Sequence, residues 1–379
     1  MKKLFLTAQL ILGAMSSSFA QQTYTDSLDI DGVSREFIVY VPNSYNSSIE
    51  TPLLFNFHGF GELNSGHIGY CDMRPIADTA GFILIYPQGS LLGTTPHWNV
   101  GSWTYWSSAN DLGFTETMID TLALQYNIDL TRVYSCGYSN GGYFSYELAC
   151  QLSSKIAAIG SVGGTMSTET FNACNPSRSM PVVSIHGTTD GEVSYYGGTP
   201  YNSKSQEDVL SYWTQQNNTD TNSISMNLPN SYILDGSTVT HDAFHNGDSC
   251  SSVEHYKVIN GGHDWPGSWG NLDINASKII WKFVSKYNLN GLIACNSVSV
   301  DEQARTTPIK VFPNPTDGIV SLRLVASKQS DYVVYSITGE LVGNGTLNTV
   351  NNSIDLSQLP SSWYVIEIEG AYFKVYKRD

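Results

Sequence analysis

One serine of this chain has the sequence context of a nucleophile. Ser139 lies in residues 137–142 (GYSNGG), which follow an apolar run and precede a run with helical spacing. Small residues on both sides permit the sharp strand-to-helix turn that exposes a serine Oγ above a sheet. Developing negative charge is favoured there, at the N-terminus of a helix. An ordinary glycine-rich turn with a capping serine is the alternative, and the strand and helix around it favour the nucleophile.

An acid and a histidine follow this serine along the chain. Asp190 comes just after an apolar strand predicted at 181–186, and His263 lies on the glycine loop 260–267 (NGGHDWPG) after a strand predicted at 253–259. Such a histidine can serve Ser139 as general base and then general acid, while the aspartate holds the imidazole in the required tautomer. The position of Asp190 at a strand end favours it over the competing acids Glu192, Asp235 and Asp242, although a simple turn role is its alternative.

Two backbone N–H groups are predicted to stabilise an oxyanion. Residues 58–61 (HGFG) end a strand predicted at 53–57. In hydrolases with this serine turn, the loop after that strand gives one N–H, and the residue after the nucleophile gives the other. We therefore predict Phe60 and Asn140 as the backbone donors. A plain glycine turn is the alternative for this loop.

The order serine, acid, histidine is that of α/β-hydrolases, and the predicted elements fit this class. Short apolar strands alternate with helices from about residue 25 to 289, which predicts a mostly parallel sheet with helices on both faces. The strands are predicted at 35–41, 53–57, 82–86, 132–137, 157–162, 181–186 and 253–259, and the helices at 114–126, 140–152, 205–216 and 275–287. Residues 309–377 carry only short alternating strands and turn signals, which predicts a small antiparallel β-sandwich.

The chain is predicted to divide into four segments. Residues 1–20 begin with Lys2 and Lys3, continue with an apolar run too short to span a bilayer, and end in Ser18-Phe19-Ala20, so we predict a signal peptide cut after Ala20. Residues 21–295 are predicted as the α/β-hydrolase domain, 296–307 as a polar linker and 308–379 as the sandwich. No other apolar stretch approaches the length of a membrane span, so none is predicted in the mature protein.

The composition limits the partners of the protein. Its 379 residues carry a formal net charge of -15, with 41% hydrophobic and only 14% charged residues. This balance predicts a folded extracellular protein and argues against nucleic acid or an anionic membrane as a partner. No cysteine or histidine cluster has zinc spacing, so we predict no metal and no other cofactor. The composition is compatible with a monomer, which we expect.

The six cysteines of an exported chain favour disulfides. Cys150 and Cys174 bracket one helix–strand–loop unit and are the nearest plausible pair. Cys250 with Cys295 is the second predicted pair. Cys136 lies inside an apolar strand and is expected to be a buried free thiol.

Segments spread over residues 30–290 resemble, in order, the secreted esterase family that groups polyhydroxybutyrate depolymerases with feruloyl and acetylxylan esterases (carbohydrate esterase family one). They are 58–59 (HG), 86–89 (YPQG), 110–114 (NDLGF), 129–134 (DLTRVY), the serine turn, 186–190 (HGTTD) and 262–267 (GHDWPG). The resemblance implies an α/β-hydrolase fold, a triad of Ser139, Asp190 and His263, and no metal cofactor. Asn140 departs from the small or apolar residue common in relatives, a change that could alter the pocket.

The C-terminal segment is similar to the sorting domain of the type IX secretion system of Bacteroidetes. The matching residues are 310–318 (KVFPNPTDG), 335–340 (YSITGE), 354–359 (IDLSQL), 363–364 (WY) and the basic end 374–378, although Ser361-Ser362-Trp363 stands where relatives have glycine. The resemblance implies the type IX secretion machinery as a partner, removal of this domain, and secretion or attachment at the cell surface. A carbohydrate-binding sandwich is the alternative, which a single tryptophan supports poorly.

These features predict a serine esterase that acts on a polysaccharide-linked or polymeric ester. Residues 98–106 (WNVGSWTYW) form an aromatic loop, and Tyr196 and Trp269 flank the acid and base loops. Flat rings suit a feruloyl group or a sugar face. The predicted substrate-binding residues are His58, Trp98, Trp103, Tyr195 and Trp265. For Trp106 and Trp265, packing is at least as good an interpretation. Feruloyl or acetyl esters of plant cell-wall polysaccharide are the leading substrates, a polyhydroxybutyrate-type polyester is the alternative, and a non-catalytic glycan-binding protein is the remote one.

Overall fold

The computed structural model describes residues 22–295, 310–323, 330–336, 341–347, 352–368 and 371–378. The chain divides into two compact units, residues 1–296 and 297–379, and each is described by itself. The predicted signal peptide 1–20 and the predicted linker 296–307 lie outside the described residues.

The first unit is built on one large sheet. Its strands are β1 (Gln22–Ile30), β2 (Val33–Val41), β3 (Thr51–Phe57), β4 (Ile83–Pro87), β5 (Ser90–Leu92), β6 (Thr95–His97), β7 (Ile128–Tyr138), β8 (Ala158–Val162), β9 (Val182–Gly187), β10 (Ile224–Asn227), β11 (Thr238–Phe244), β12 (Val253–Ile259), β13 (Tyr287–Asn288) and β14 (Gly291–Leu292). Its helices are α1 (Asn64–Ile68), α2 (Arg74–Ala80), α3 (Asp111–Gln125), α4 (Asn140–Gln151), α5 (Thr168–Ala173), α6 (Gln206–Gln216) and α7 (Ala276–Val284).

Within residues 22–295, the large sheet has ten strands in the order β1-β2-β4-β3-β7-β8-β9-β12-β11-β10. The six central strands, from β4 to β12, are parallel to one another. The outer strands on both sides run antiparallel to their neighbours. Because parallel strands end at the same edge, the loops after β3, β7, β9 and β12 meet there.

Helices cover both faces of this sheet because the central strands are apolar on both faces. In β3, Leu53 and Phe55 belong to one apolar core and Leu54 belongs to the other, as the alternation of side chains along a strand requires. Helices α3, α4 and α6 pack into the first core, and α2 and α7 pack into the second. A parallel sheet buried on both faces is the predicted fold class, which is confirmed.

The edges of the sheet differ from the prediction. The sequence pattern did not indicate β1, β10 or β11. In β1, residues on one face are partly buried and those on the other are exposed, and all four residues of β10 are exposed. Outer strands of this kind lack the apolar run that identifies a central strand, so the sequence pattern does not reveal them. They form by pairing with a neighbouring strand.

The second unit consists of two antiparallel sheets. Its strands are β15 (Lys310–Phe312), β16 (Ile319–Arg323), β17 (Ser330–Ser336), β18 (Leu341–Leu347), β19 (Ser353–Asp355), β20 (Ser362–Ile368) and β21 (Ala371–Lys377). They form the sheets β15-β16-β19 and β18-β17-β20-β21. Val320 and Ile354 from the first sheet share one apolar core with Val334, Ile366 and Val375 from the second. Two sheets joined by one core make a small β-sandwich, as predicted.

Two disulfides join the predicted cysteine pairs. Cys150, near the end of α4, is bonded to Cys174, and Cys250 is bonded to Cys295. Cys136 in β7 is a buried free thiol, as predicted, and so is Cys71. Among the described residues, no helix has the length and apolar character needed to cross a membrane.

Candidate active site

Ser139 occupies a strained turn between β7 and α4. Its backbone has φ 53° and ψ −119°, in the left-handed half of conformational space that non-glycine residues rarely adopt. The helix starts so close to the end of β3 that a Cβ on Gly141 would overlap the carbonyl oxygen of Phe57. Glycine at this position therefore allows the close approach. Strain of this kind is typical of functional residues that the fold holds in one orientation.

The loops after β9 and β12 bring Asp190 and His263 together. Nδ1 of His263 lies 2.7 Å from Oδ2 of Asp190. The other carboxylate oxygen accepts the backbone N–H groups of Glu192 and Val193, at 2.9 and 2.8 Å. The Asp190 side chain is fully buried, while that of His263 is 17% exposed. These hydrogen bonds fix the orientation of the carboxylate. The carboxylate in turn fixes the imidazole through its Nδ1 atom.

A second histidine also contacts the Asp190 carboxylate. Nε2 of His186 lies 3.2 Å from Oδ2 of Asp190 and 2.8 Å from the carbonyl oxygen of Val193. Its Nδ1 accepts a hydrogen bond from the amide of Gln206 at 2.7 Å, so the ring carries its proton on Nε2. Burial by itself raises the pKa of Asp190, but the hydrogen bonds and charges of His186 and His263 outweigh burial and hold this pKa well below its usual range.

Ser139 and His263 face one cavity of about 420 Å³. Within residues 22–295 no hydrogen bond joins the Ser139 hydroxyl to the imidazole. Such bonds are often long in the absence of substrate and shorten in the reacting complex. The other lining residues are Gly59, Phe60, Glu62, Trp103, Tyr138, Glu192, Val193 and Tyr201.

The two predicted oxyanion donors have free N–H groups. Among the described residues, neither Phe60 nor Asn140 donates its backbone N–H to a protein acceptor, whereas Gly59 donates to the Glu62 carboxylate and Gly61 donates to a carbonyl oxygen. The N–H of Asn140 is unpaired because it opens α4, where the first donors of a helix lack intrahelical acceptors. Backbone N–H groups in these two places can polarise an ester carbonyl.

The chain is similar to known proteins in both of its units. Residues 310–378 match the family described as the secretion system C-terminal sorting domain. The chain is 28% identical over 297 residues to a bifunctional acetylxylan esterase/xylanase of Neocallimastix patriciarum, covering 78% of this chain and 39% of that protein. It is 30% identical over 166 residues to feruloyl esterase B of Piromyces equi, covering 43% of this chain and 31% of that protein. The chain thus spans less than half the length of these two relatives.

A solved structure decides the fold. The acetyl xylan esterase from Aspergillus awamori superposes with a TM-score of 0.51 at 16% identity, covering 69% of this chain and 99% of that one. The first unit has the α/β-hydrolase fold. The resemblances stated from the sequence, to the esterase family and to the sorting domain, are confirmed. The match to the sorting domain also confirms the predicted secretion of the protein.

Most of the predicted substrate-binding residues do not line the cavity, which corrects that prediction. Of its five members only Trp103 lines the cavity. Trp98 and Trp265 are core residues whose indole N–H groups donate to the His58 carbonyl oxygen and the Ser277 hydroxyl. Tyr195 is 3% exposed, and its hydroxyl lies 2.9 Å from Nε2 of His255. These rings fill the space beneath the site loops, so they position the site without reaching the cavity.

His58 is likewise a buried structural residue of the hydrolase unit. Its Nδ1 lies 2.7 Å from the carbonyl oxygen of Gly59, and its Nε2 accepts the N–H of Gly89 at 2.9 Å. Burial lowers its pKa to about 4, so the ring is neutral near pH 7, and its hydrogen bonds hold residues 58–61 in place.

The Asn140 side chain also points away from the cavity. Its oxygen accepts the N–H of Trp98 at 2.7 Å, and its nitrogen donates to the Trp98 carbonyl oxygen at 3.1 Å. Asn140 therefore anchors the aromatic loop, and its side chain is not among those that line the cavity.

Several residues that line the cavity were not predicted from the sequence. The exposed ring of Phe60 packs edge-on against Trp103 at 5.0 Å, and Trp103 lies 5.2 Å from the ring of Tyr201. The motifs around Phe60 and Tyr138 could have indicated that their rings line the cavity. Phe60 was assigned only as a backbone donor, and Tyr138 lies in the serine motif. Tyr201 lies outside the site motifs, and only its packing against Trp103, distant in sequence, places it in the cavity.

Proposed function

We propose that the protein is a secreted serine esterase that hydrolyses feruloyl or acetyl esters of plant cell-wall polysaccharide. The observation that carries this proposal is a strained serine that shares a cavity with a histidine, which is held at 2.7 Å by a buried carboxylate. In this proposal Ser139 is the nucleophile, His263 the general base and Asp190 the residue that orients it.

The mechanism is acyl transfer in two steps. The Ser139 Oγ attacks the ester carbonyl while Nε2 of His263 takes the hydroxyl proton, and the N–H groups of Phe60 and Asn140 stabilise the oxyanion. Collapse of the tetrahedral intermediate breaks the bond to the alcohol, which leaves with the proton from His263. A water that gives its proton to His263 then attacks the acyl-enzyme, and collapse of this second intermediate releases the acid and restores Ser139.

The cavity favours an aromatic acyl group. Phe60, Trp103 and Tyr201 form a continuous series of rings beside Ser139. Planar walls of this kind suit a planar phenolic acid, which buries its faces against the rings. The names of the two relatives, an acetylxylan esterase and a feruloyl esterase, are compatible with this class of substrate.

The proposal includes a domain organisation and an export route. Residues 1–20 act as a signal peptide, 21–295 as the esterase domain, 296–307 as a linker and 308–379 as a sorting domain read by the type IX secretion machinery. Support comes from the match of residues 310–378 to a sorting domain.

The test compares hydrolysis of methyl ferulate, p-nitrophenyl acetate and a short hydroxybutyrate oligomer by the parent protein and by Ser139→Ala. We expect the highest kcat/KM on methyl ferulate and a loss of about 10⁴-fold or more in kcat for the variant. Ser211→Ala, at an exposed position of α6, is the matched control and should retain the parent activity. Preference for the hydroxybutyrate oligomer would instead support a polyester depolymerase, and equal activity of Ser139→Ala and the parent would contradict the mechanism.

A further inference from the structure

A second, larger depression lies in the α/β-hydrolase unit, outside the catalytic cavity. It measures about 820 Å³, against about 420 Å³ for the cavity that contains Ser139. Its walls come from the β1–β2 hairpin, the β5–β6 hairpin and residues 106–110. We call this depression the hairpin groove. None of the proposed catalytic residues lines it.

The hairpin groove exposes an unusual amount of apolar surface. Trp106 is 76% exposed, Leu91 65%, Leu63 59% and Val33 56%. Among the described residues, the Trp106 ring contacts one other ring, that of Tyr105. A cluster of exposed apolar side chains around a concave surface is characteristic of a binding site, because leaving such surface in water is unfavourable.

The polar groups of the groove disfavour an anionic ligand. The single cation among its lining residues, Arg35, is buried and paired with Asp111 at 2.7 Å. Asp31 accepts a hydrogen bond from the Asn110 amide at 3.0 Å, and Glu36 adds a second carboxylate. An anionic ligand would meet these carboxylates without a free cation to offset them.

The remaining lining groups suit a sugar. Hydroxyls of Ser90, Ser107 and Ser108 accompany the exposed indole of Trp106. A pyranose ring has an apolar C–H face that packs on an aromatic ring and a rim of hydroxyls that hydrogen-bond to such groups. A neutral polysaccharide combines these properties: it is uncharged, rich in hydroxyl groups, and has flat apolar faces.

One loop connects the hairpin groove to the catalytic cavity. Phe60 and Glu62 line the cavity, and Leu63 lines the groove. The Gln88 amide fixes this loop, because it donates to the Glu62 carbonyl oxygen at 3.3 Å and accepts the N–H of Asn64 at 2.9 Å. A polymer whose ester group reaches Ser139 can therefore continue across Leu63 into the groove.

The geometry points to the hairpin groove as the binding site for the polysaccharide main chain of the ester substrate. This inference rests on the proposed esterase function and extends it: the acyl group occupies the aromatic cavity, while the sugar chain lies against Trp106 and Leu91. Recognition of the polymer is then separate from recognition of the acid.

The test measures binding of the full chain to insoluble arabinoxylan by depletion from solution. All proteins carry Ser139→Ala, so that the polymer is not changed during the assay. We expect Trp106→Ala to weaken binding by about tenfold or more and Leu91→Ser to weaken it as well, because an exposed tryptophan often dominates a binding surface. Tyr232→Ala removes an exposed ring elsewhere on the unit and should bind as its parent does.

A kinetic measurement complements the binding assay. With Ser139 intact, Trp106→Ala should lower the ratio of kcat/KM on feruloylated arabinoxylan to kcat/KM on methyl ferulate by about fivefold or more. Thermal unfolding of each variant confirms that it is folded.

The outcomes separate the two proposals. Absence of esterase activity in the parent would contradict the proposed function, whereas the binding assay needs no catalysis. If Trp106→Ala binds arabinoxylan as strongly as Tyr232→Ala does, the groove assignment is overturned. The proposed esterase function would not be affected. Binding to a polyhydroxybutyrate film in place of arabinoxylan would overturn the choice of polysaccharide.

Discussion

At the scale of single residues, the orientation of Asp190 explains how a buried carboxylate can control a histidine. One of its oxygens accepts two backbone N–H groups, and the other faces His263 and His186. Because the first oxygen is already committed, the carboxylate cannot rotate to present a different atom to the imidazole. Its lowered pKa keeps it anionic across the physiological range, so in the proposed mechanism it would stabilise the imidazolium formed during each acyl-transfer step.

The same geometry predicts the effect of Asp190→Asn. The amide oxygen should take the place of Oδ1, which accepts the backbone N–H groups, so the amide nitrogen would face Nδ1 of His263 and donate to it. The His263 proton would then lie on Nε2, where it blocks removal of the Ser139 proton. We expect kcat on methyl ferulate to fall by about 10⁴-fold in steady-state kinetics, in a protein that thermal unfolding shows to be folded. Asp242→Asn, which changes a competing acid of the sequence, is the control and should retain activity; similar losses in both variants would contradict the assignment.

At the scale of elements, the turn between β7 and α4 and the loop after β3 form one mechanical unit. Gly141 of α4 approaches the backbone of Phe57 so closely that no side chain fits between them. Phe57 is the last residue of β3, and the predicted oxyanion loop begins directly after it. The position of Ser139, the proposed nucleophile, and that of the Phe60 N–H therefore depend on the same contact.

Gly141→Ala should disturb both groups at once. The added methyl must displace the end of β3, and overpacking of this kind typically costs about 1–3 kcal/mol in the free energy of unfolding. Because the Phe60 N–H would move with the strand, we expect a loss of kcat of about 10²-fold or more in the protein that remains folded. Urea unfolding and steady-state kinetics measure the two effects. Gly66→Ala, in α1 where a methyl meets open space, is the control, and a Gly141→Ala protein with the parent's kcat would contradict this coupling.

The predictability of this fold follows from the same elements. Strands β3, β7 and β9 could be predicted because burial on both faces favours a largely apolar run, whereas β12 has Glu254, His255 and Lys257 among its apolar residues. The motifs directly after β7, β9 and β12 contain the triad candidates. The sequence could not separate Trp98 from Trp103, because the two tryptophans share one loop and only packing decides that the first is buried and the second lines the cavity. Tyr201 and the edge strand β10 depend on long-range contacts, for which local sequence carries no signal.

At the scale of the whole molecule, buried histidines should make stability depend on pH. Burial lowers the pKa of His58 to about 4 and that of His255 to about 3. In the unfolded chain a histidine binds a proton below about pH 6.5, so between that value and pH 4 the unfolded state binds more protons than the folded state. The free energy of unfolding must therefore fall as the pH is lowered through this range.

His255→Gln should reduce this pH dependence. Between pH 7 and pH 5, one histidine that stays neutral in the folded state contributes a loss of about 2 kcal/mol, which the variant would no longer show. The measurement is urea unfolding at several pH values in this window. The slope is the readout, because the lost hydrogen bonds to Ser184 and Tyr195 lower stability at every pH. His245→Gln controls for the loss of one histidine outside the core, and an unchanged slope in His255→Gln would contradict the argument.

The separate cores of the two units predict that export and catalysis can be uncoupled. Val320, Val334 and Ile366 belong to a cluster confined to the second unit, while the residues around Ser139 pack in cores of the first. Deletion of residues 308–379 should therefore leave an active esterase that stays inside a Bacteroidetes host, because the segment matching a sorting domain is lost. Cell fractionation with methyl ferulate hydrolysis as the readout measures both properties. Ser139→Ala in the full chain gives the reciprocal control, an inactive protein that should reach the medium or the cell surface, detected with an antibody. Release of the deleted protein to the same extent as the parent would show that export does not depend on this sandwich.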